Sequence, residues 1–350
     1  MLLSMNSDPP FEETYKSLFK YDHVLPEQSY LNSKVKPTYN IVSETIVEEC
    51  ELPLIDLARL TLGEAEREKC KAEMAKASRE WGFFQVINHG ISREVLEAMR
   101  MEQMKLFRKP IYKKMESDKH MNLSPGSYRW GTPTATCLCQ VSWSEAFHIP
   151  MTDIPRLSGS ASLRLKFYQF AKGISDLAQT VAKILAKELG HESTFIEQNC
   201  SSSSCFLRMN RYPPCPRYSQ VFGLMPHTDS DFLTILCQDQ VGGLQLVKNG
   251  KWIAVKPNPD ALIVNIGDLF QAWSNGEYRS VKHRVVANAK VERFSTAYFL
   301  CPSSDAVIKS YKEPSVYRNF SFGEYRQQVQ EDVKEFGHKI GLSRFLVHSS

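Results

Sequence analysis

A chain of 350 residues with 42% hydrophobic side chains can bury one large core or two smaller ones. Its 43 basic and 39 acidic residues leave a net charge of +4 with no run of five or more like charges, which argues against a nucleic-acid surface. No stretch approaches the roughly 20 apolar residues of a membrane span. The first ten residues lack the basic and apolar regions of a secretory leader. The nine cysteines, odd in number and without a C-x-x-C, match neither a zinc site nor a disulfide framework, so reduced thiols in the cytoplasm or nucleus are expected.

In chain order, residues 1–50 are expected to form an irregular arm, because Pro9, Pro10, Pro26 and Pro37 break up a polar stretch without period; one short helix fits around Glu12 to Phe19. Glu51 to Leu57 has a short strand pattern. Gly63 to Trp81 is rich in helix formers and runs into GFFQVINHG, Gly82 to Gly90, whose aromatic and β-branched content predicts a buried strand. Ser92 is placed to cap a helix that runs to about Arg108, with Pro110 ending it. Ser127 to Pro150, dense in aromatics and β-branched residues, predicts two strands around a turn. From Ser162 to Leu189, apolar residues such as Phe167, Phe170, Ile174, Leu177 and Val181 recur at steps of mostly three and four, so an amphipathic helix is expected up to Gly190. Between Cys205 and Cys301 the period becomes strand-like, with short apolar runs separated by Gly, Pro and Asn turns such as Asn249-Gly250. That spacing predicts a barrel or jelly roll. Phe322 to Phe336 returns to helix. The fold class is therefore mixed α and β.

Within the β-rich segment, His227 and Asp229 stand two residues apart at the mouth of an apolar strand, where alternate residues point the same way. With His283 further along they make a set of the two-His-one-carboxylate kind, which leaves coordination positions open on iron. An isolated H-x-D is more often a capped turn or a surface pair. A second pair shifts that balance: Arg293 and Ser295 share one face of a predicted strand, and a guanidinium beside a hydroxyl forms a fork for a carboxylate. The intervening Asn288 to Glu292 is expected to make a hairpin that sets this strand beside that of His283. In NRYPPCP, Tyr212 can donate to the same carboxylate, with Asn210 on the same side of its strand. The other histidines, His148 among them, are given structural roles, and Trp81, Phe83, Phe84 and Trp252 are assigned to packing.

Taken in order, His227-x-Asp229, His283, Arg293-x-Ser295 and NRYPPCP resemble the plant-type iron(II)- and 2-oxoglutarate-dependent dioxygenases, and the resemblance extends from about Leu52, through Trp81 to Ile91, to about Pro302. Segments outside the metal set, namely Ser127 to Gly131, Val141 to Pro150 and GLMPHTDSDFLTIL, look most like the gibberellin 2-oxidases that act on twenty-carbon precursors. The resemblance implies a distorted double-stranded β-helix (jelly roll) core with flanking helices. It divides the chain into an arm (1–50), a helical and strand region (51–200), the jelly roll (201–305) and a C-terminal helical segment (306–350). Arg211 departs from a tyrosine common in relatives, and its side chain is expected to point away from Tyr212.

The resemblance also implies iron(II) on His227, Asp229 and His283, and 2-oxoglutarate as co-substrate on Arg293, Ser295, Tyr212 and Asn210, with oxygen as oxidant and ascorbate in a supporting role. The reaction would be 2β-hydroxylation of a gibberellin, inactivating the hormone or its precursor, coupled to decarboxylation of 2-oxoglutarate to succinate and carbon dioxide. An apolar diterpenoid with carboxylates calls for an aromatic and aliphatic pocket with one or two polar contacts. Tyr128, Arg129, Trp130, Trp143 and Phe147 are the candidates to line it. The rival readings are another gibberellin, flavonoid or specialised-metabolite oxygenase, a non-catalytic binder of a carboxylated ligand, and a zinc hydrolase using the same ligands. No nucleic acid or membrane is expected as a partner.

Overall fold

The computed structural model describes residues 8–20, 47–191, 194–201 and 203–347. Thirteen strands build two facing sheets: β1 (Glu49–Cys50), β2 (Leu54–Asp56), β3 (Phe83–Ile87), β4 (Tyr128–Trp130), β5 (Glu145–Pro150), β6 (Phe206–Tyr212), β7 (Phe222–His227), β8 (Leu233–Gln238), β9 (Leu244–Lys248), β10 (Lys251–Val255), β11 (Leu262–Ile266), β12 (His283–Val286) and β13 (Arg293–Leu300). The smaller sheet has the order β1-β10-β9-β12-β7 and the larger β2-β3-β11-β8-β13-β6-β5-β4. Strands from 201–305 form the centre of both, while β2 to β5, from the region before them, extend the larger sheet at its two edges.

Two of the sequence's local signals have clear physical causes. The β9–β10 turn pairs Lys248 with Lys251, and Asn249 and Gly250 both take left-handed backbone angles, φ 50° and 76°, as a two-residue hairpin turn requires. The helix Ala161–Glu188 starts where the Ser160 hydroxyl accepts from the Leu163 amide at 3.2 Å and buries Phe167, Phe170, Ile174, Leu177, Val181 and Leu185 along one stripe. It lies on the outer face of β8 and β13, flanked by the helices Glu64–Glu80 and Arg93–Phe107. Each fully buried Leu, Ile, Val or Phe on this stripe contributes about 1.5–3 kcal/mol.

The larger sheet is thus covered on both faces. Along β6, Leu207 and Met209 enter the helical core while Phe206, Arg208, Asn210 and Tyr212 turn to the space between the sheets; along β13, Phe294 and Tyr298 pack outward while Arg293, Ser295 and Ala297 turn inward. Gln103, on the helix Arg93–Phe107, fastens this arrangement by donating to the carbonyls of Asn210 and Ser295 at 3.1 and 2.8 Å.

Two expectations are corrected. The strand of Arg293 does not form a hairpin with that of His283. β12 pairs with β7 and β9 in the smaller sheet, whereas β13 pairs with β6 and β8 in the larger, because residues 287–292 carry the chain from one sheet to the other. The nine thiols are not all reduced: a tight turn brings Cys137 and Cys139 to a Cα separation of 5.4 Å, and their sulfurs are bonded, while the other seven cysteines are free.

The arm forms helices Phe11–Thr14 and Lys16–Lys20, and Phe11 stacks on Trp143 at 4.5 Å. Below it lies a buried charge cluster. Fully buried Glu145 accepts from Lys114 Nζ at 2.5 Å, from the Tyr128 hydroxyl at 2.5 Å and from Arg211 Nη1 at 2.8 Å. Arg211 continues to Asp8 at 2.6 Å and Glu292 at 2.9 Å, so it ties the arm to the start of β13 and faces away from the cavity. Removing one member of a buried ion cluster leaves its partners desolvated and uncompensated, at a cost of about 3–5 kcal/mol. Glu145→Gln is therefore expected to lower the urea midpoint markedly without changing the slope of the transition; an unchanged midpoint would show that the cluster does not stabilise the fold.

Candidate active site

The chain crosses from the smaller sheet to the larger at residues 228–232, between β7 and β8, and this crossing places the most chemically distinctive group of side chains. His227 closes β7, His283 opens β12 directly opposite it in the ladder, and Asp229 follows on the crossing loop. Asp229 therefore lies past the end of a strand rather than within one. The three ligand atoms lie within 4.8 Å of one another. His227 Nε2 and His283 Nε2 stand 3.6 and 3.7 Å from the same oxygen, Asp229 Oδ1.

Hydrogen bonds fix which atoms face inward. His227 Nδ1 bonds the Met225 carbonyl at 2.7 Å and His283 Nδ1 the Val281 carbonyl at 3.0 Å. A carbonyl accepts only, so each Nδ1 carries the proton and each Nε2 presents its lone pair. Asp229 Oδ2 is occupied by the Thr234 hydroxyl and the Asn265 amide, both at 2.7 Å, which leaves Oδ1 for the shared centre. Burial opposes the charge of Asp229, but the two imidazoles and the Asn265 amide outweigh it and hold the carboxyl well below the usual carboxylate range. Burial foremost, with His227 beside it, pushes His283 down to about 4, so the ring is neutral at pH 7, the form that binds a metal. Two nitrogens and one carboxylate oxygen on one side of a centre suit iron(II) with open positions.

The loop is gripped from behind. Lys339, three residues past the helix Phe322–Phe336, donates to the Thr228 carbonyl at 2.9 Å and the Ser230 hydroxyl at 2.8 Å and pairs with Asp268 at 2.6 Å. Asp268 in turn accepts from the Thr228 hydroxyl at 3.0 Å and from Tyr325. Gly267 allows this closeness, since a Cβ there would collide with the Asp231 backbone.

Across the cavity, the β6–β13 register sets Tyr212 opposite Arg293 and Asn210 opposite Ser295. Arg293 Nη2 donates to Gln238 at 2.7 Å and its guanidinium lies over the Tyr212 ring at 4.9 Å, yet its Nε and Nη1 are buried with no partner among the described residues. Two unsatisfied guanidinium donors beside a serine hydroxyl are the signature of an anion that belongs there. A dicarboxylate with one end on the His227/Asp229/His283 centre and the other on Arg293 fits this donor set.

The cavity between the sheets has a volume of about 660 Å³ and contains all seven of these residues. The five expected substrate contacts lie outside it. Tyr128 and Phe147 are buried in the helical core, Trp143 is sealed under Phe11, and Trp130 meets Phe11 edge-on at 5.4 Å. Arg129 is exposed, with its Nε on the Gly126 carbonyl. The physical reason is that β4 and β5 form the sheet edge on which the arm packs. Only His148 and Pro150 of β5 reach the cavity. His148 and Phe83, read as structural, both line it, and Phe83 meets the His283 ring edge-on at 5.3 Å.

Several cavity residues had no counterpart in the sequence reading: Arg208, Thr234, Asn265, Arg326 and Lys339. Arg208 carried a legible signal, because a cation at every-second-residue spacing from Asn210 and Tyr212 shares their face. The others reach the site from elements whose local patterns are silent about it.

With this geometry in place, comparison with known proteins gives the class. Residues 203–302 match the model of the 2OG-Fe(II) oxygenase superfamily, and residues 52–162 match that of the non-haem dioxygenase in morphine synthesis N-terminal region. The chain belongs to the 2OG-Fe(II) oxygenases, enzymes that use iron(II) and 2-oxoglutarate. Within them it is 60% identical to gibberellin 2-beta-dioxygenase 8 of Arabidopsis thaliana, over 97% of this chain and 99% of that protein. It is 51% identical to gibberellin 2-beta-dioxygenase 6 of Oryza sativa subsp. japonica, over 98% and 97%. Among solved structures, JOX2 in complex with 2OG, Fe and JA is 31% identical and superposes with a TM-score of 0.69, over 85% of this chain and 90% of that one. These neighbours share the double-stranded β-helix core.

Asp229→Ala is expected to abolish iron-dependent 2-oxoglutarate turnover while far-ultraviolet circular dichroism stays unchanged; retained turnover would show that Asp229 holds no metal. Arg293→Lys keeps the charge but loses the fork. The loss of a charge-assisted hydrogen bond, about 1.5–3 kcal/mol, should weaken 2-oxoglutarate binding roughly 10- to 100-fold in an anaerobic titration of the metal chelate's absorbance band.

Proposed function

We propose that the chain hydroxylates gibberellins at C2 on the β face, with twenty-carbon precursors as its preferred substrates, and so withdraws them from the hormone pathway. The observation that carries this reading is the 60% identity, over nearly the whole of both chains, to a gibberellin 2-beta-dioxygenase, combined with a cavity whose donors suit iron and a dicarboxylate.

In this mechanism His227, Asp229 and His283 hold iron(II), and Arg293, Ser295, Tyr212 and Asn210 hold 2-oxoglutarate. When bound, these two groups supply the activation of oxygen that attack on an unreactive C–H bond needs. The chain's own part is positioning. Neutral imidazoles and a single carboxylate bind the metal without excess charge, and the Thr234 and Asn265 bonds keep Asp229 from rotating. Arg293 orients the co-substrate from the opposite wall, and Leu224, Leu236, Leu244 and Val285 line the cavity with apolar groups that exclude water. The substrate enters on the side of Phe206, Phe299 and Phe322, where an apolar ring system finds its match.

Product analysis with twenty-carbon and nineteen-carbon gibberellins and a flavanone tests the reading. The expected result is a 2β-hydroxylated twenty-carbon gibberellin with succinate formed in equal amount. A hydroxylated flavanone, or oxidation at another gibberellin carbon, would replace the proposed reaction with a different one of the same enzyme class.

A further inference from the structure

The metal and 2-oxoglutarate residues leave one half of the cavity without a task. Following the inner face of β6 away from Tyr212, Asn210 is succeeded by Arg208 and then by Phe206, which stacks on Phe299 at 4.5 Å. Same-face residues on a strand are spaced by about 7 Å, so Arg208 stands two steps, about 14 Å, along the backbone from Tyr212, the cross-strand partner of Arg293. Among the described residues only one of its guanidinium nitrogens is engaged, Nε donating to Asn210 Oδ1 at 3.0 Å.

A second guanidinium faces the same region. Arg326, on the helix Phe322–Phe336, lines the cavity and lies over the Phe322 ring at 5.6 Å. His148 is the neighbour of Arg208 in the β5–β6 ladder. Its imidazole is pushed down to about 4, by burial first and then by the charges of Arg208, Arg129 and Arg326. Among the described residues, neither Arg208 nor Arg326 has a carboxylate within ion-pair distance. The remaining wall is apolar, with Pro150, Phe206, Phe299 and Phe322. A half-buried guanidinium without an ion-pair partner, set beside aromatic rings with a solvent-exposed second one at the rim, suits an anion carried on an apolar body.

We infer that Arg208, assisted by Arg326 at the rim, binds a carboxylate of the organic substrate and thereby sets which of its C–H bonds faces the metal centre. This deepens the proposed function, on which it rests for the identity of the substrate. The co-substrate does not account for the pair. One end of a dicarboxylate is met by the unsatisfied Nε and Nη1 of Arg293 and the other by the His227/Asp229/His283 centre, so a further anion is needed. The consequence is a specificity device: the apolar walls accept many ring systems, and the arginine selects those with an acid at the right distance from the reacting carbon.

The experiment is calorimetric binding of a tetracyclic diterpenoid acid and its methyl ester, with iron(II) and 2-oxoglutarate present and oxygen excluded, to the wild-type chain and to Arg208→Gln, Arg208→Lys and Arg326→Gln. The wild type is expected to prefer the acid by about 10- to 100-fold, the worth of one charge-assisted hydrogen-bond pair. Arg208→Gln should bring acid and ester to near parity while leaving the ester affinity unchanged; 2-oxoglutarate affinity, linked to Arg208 only through the Asn210 bond, should fall by a much smaller factor than that for the acid. Arg208→Lys should restore part of the preference, and Arg326→Gln should reduce it by a smaller factor. An acid preference absent from the wild type, or kept in Arg208→Gln, overturns the inference. So does a loss of 2-oxoglutarate affinity in Arg208→Gln equal to the loss for the acid, which would assign the residue to the co-substrate. Turnover of gibberellins by the wild type is read separately: its failure removes the proposed hormone, whereas the acid-to-ester ratio still decides the role of Arg208.

Discussion

The antiparallel pairing of β6 with β13 is the constraint on which the rest of the molecule depends. Seven consecutive residue pairs, from Arg293 with Tyr212 to Phe299 with Phe206, fix two faces at once. The outward face gives Leu207, Met209, Phe294 and Tyr298 to the helical core; the inward face gives a graded wall that runs from the Arg293 fork through Asn210 and Ser295 to Arg208 and the Phe206–Phe299 stack. A slip of one residue would exchange the faces, burying Arg208 and Arg293 among the helices and turning core side chains into the cavity. Stability and function therefore select the same register. Gln103 reads it directly, because its amide reaches the carbonyls of Asn210 and Ser295 together only when those residues stand opposite each other.

The electrostatics of the cavity follow from the burial of most of the side chains that line it. Charges there interact more strongly than at a surface, so each must be placed against a partner or a ligand. The structure does this unevenly. Asp268 is engaged by Thr228, Tyr325 and Lys339, whereas Asp229 is held by Thr234 and Asn265 through Oδ2 alone, which leaves Oδ1 toward the two imidazoles. Arg293 and Arg208 keep unused donors. Bare guanidinium groups attract an acidic co-substrate.

Much of this was legible in the sequence because it is written in short periods. The helices at 64–80, 93–107 and 161–188 follow from helix-forming composition, the cap Ser92 and apolar spacing in turn, and the Asn249-Gly250 turn follows from backbone angles that few residues adopt. Three pairs, His227 with Asp229, Arg293 with Ser295 and Asn210 with Tyr212, stood out because their members lie two residues apart, and His283 as the one further histidine in the β-rich segment; the structure sets all seven around one cavity. What was not legible was which sheet a strand joins. The assumption that β12 and β13 pair as a hairpin came from their short connection, but the hydrogen-bonding edges of β12 were already taken by β7 and β9. The misplacement of Tyr128, Trp143 and Phe147 has the same origin. Aromatic strands next to a cavity and aromatic strands under a packed arm have the same composition, and only the contact of Phe11 with Trp143 tells them apart.

Asn265, Thr234 and Lys339 mark a deeper limit. Each acts through the loop at 228–232, yet they come from three separate elements, and for Asn265 and Lys339 no neighbour in sequence hints at a metal. Their contribution is to remove freedom. A carboxylate on a loop can rotate about two bonds, and a ligand that must be reoriented at each encounter binds its ion weakly. With Oδ2 of Asp229 held by two donors and the loop carbonyl held by Lys339, the free oxygen has one direction left, toward the two Nε2 atoms. The ligands name the chemistry, but the residues behind them decide how well it is done. Because Lys339 lies beyond the jelly roll's own sequence, the C-terminal segment is part of the metal site's mechanics and not an appendage to it.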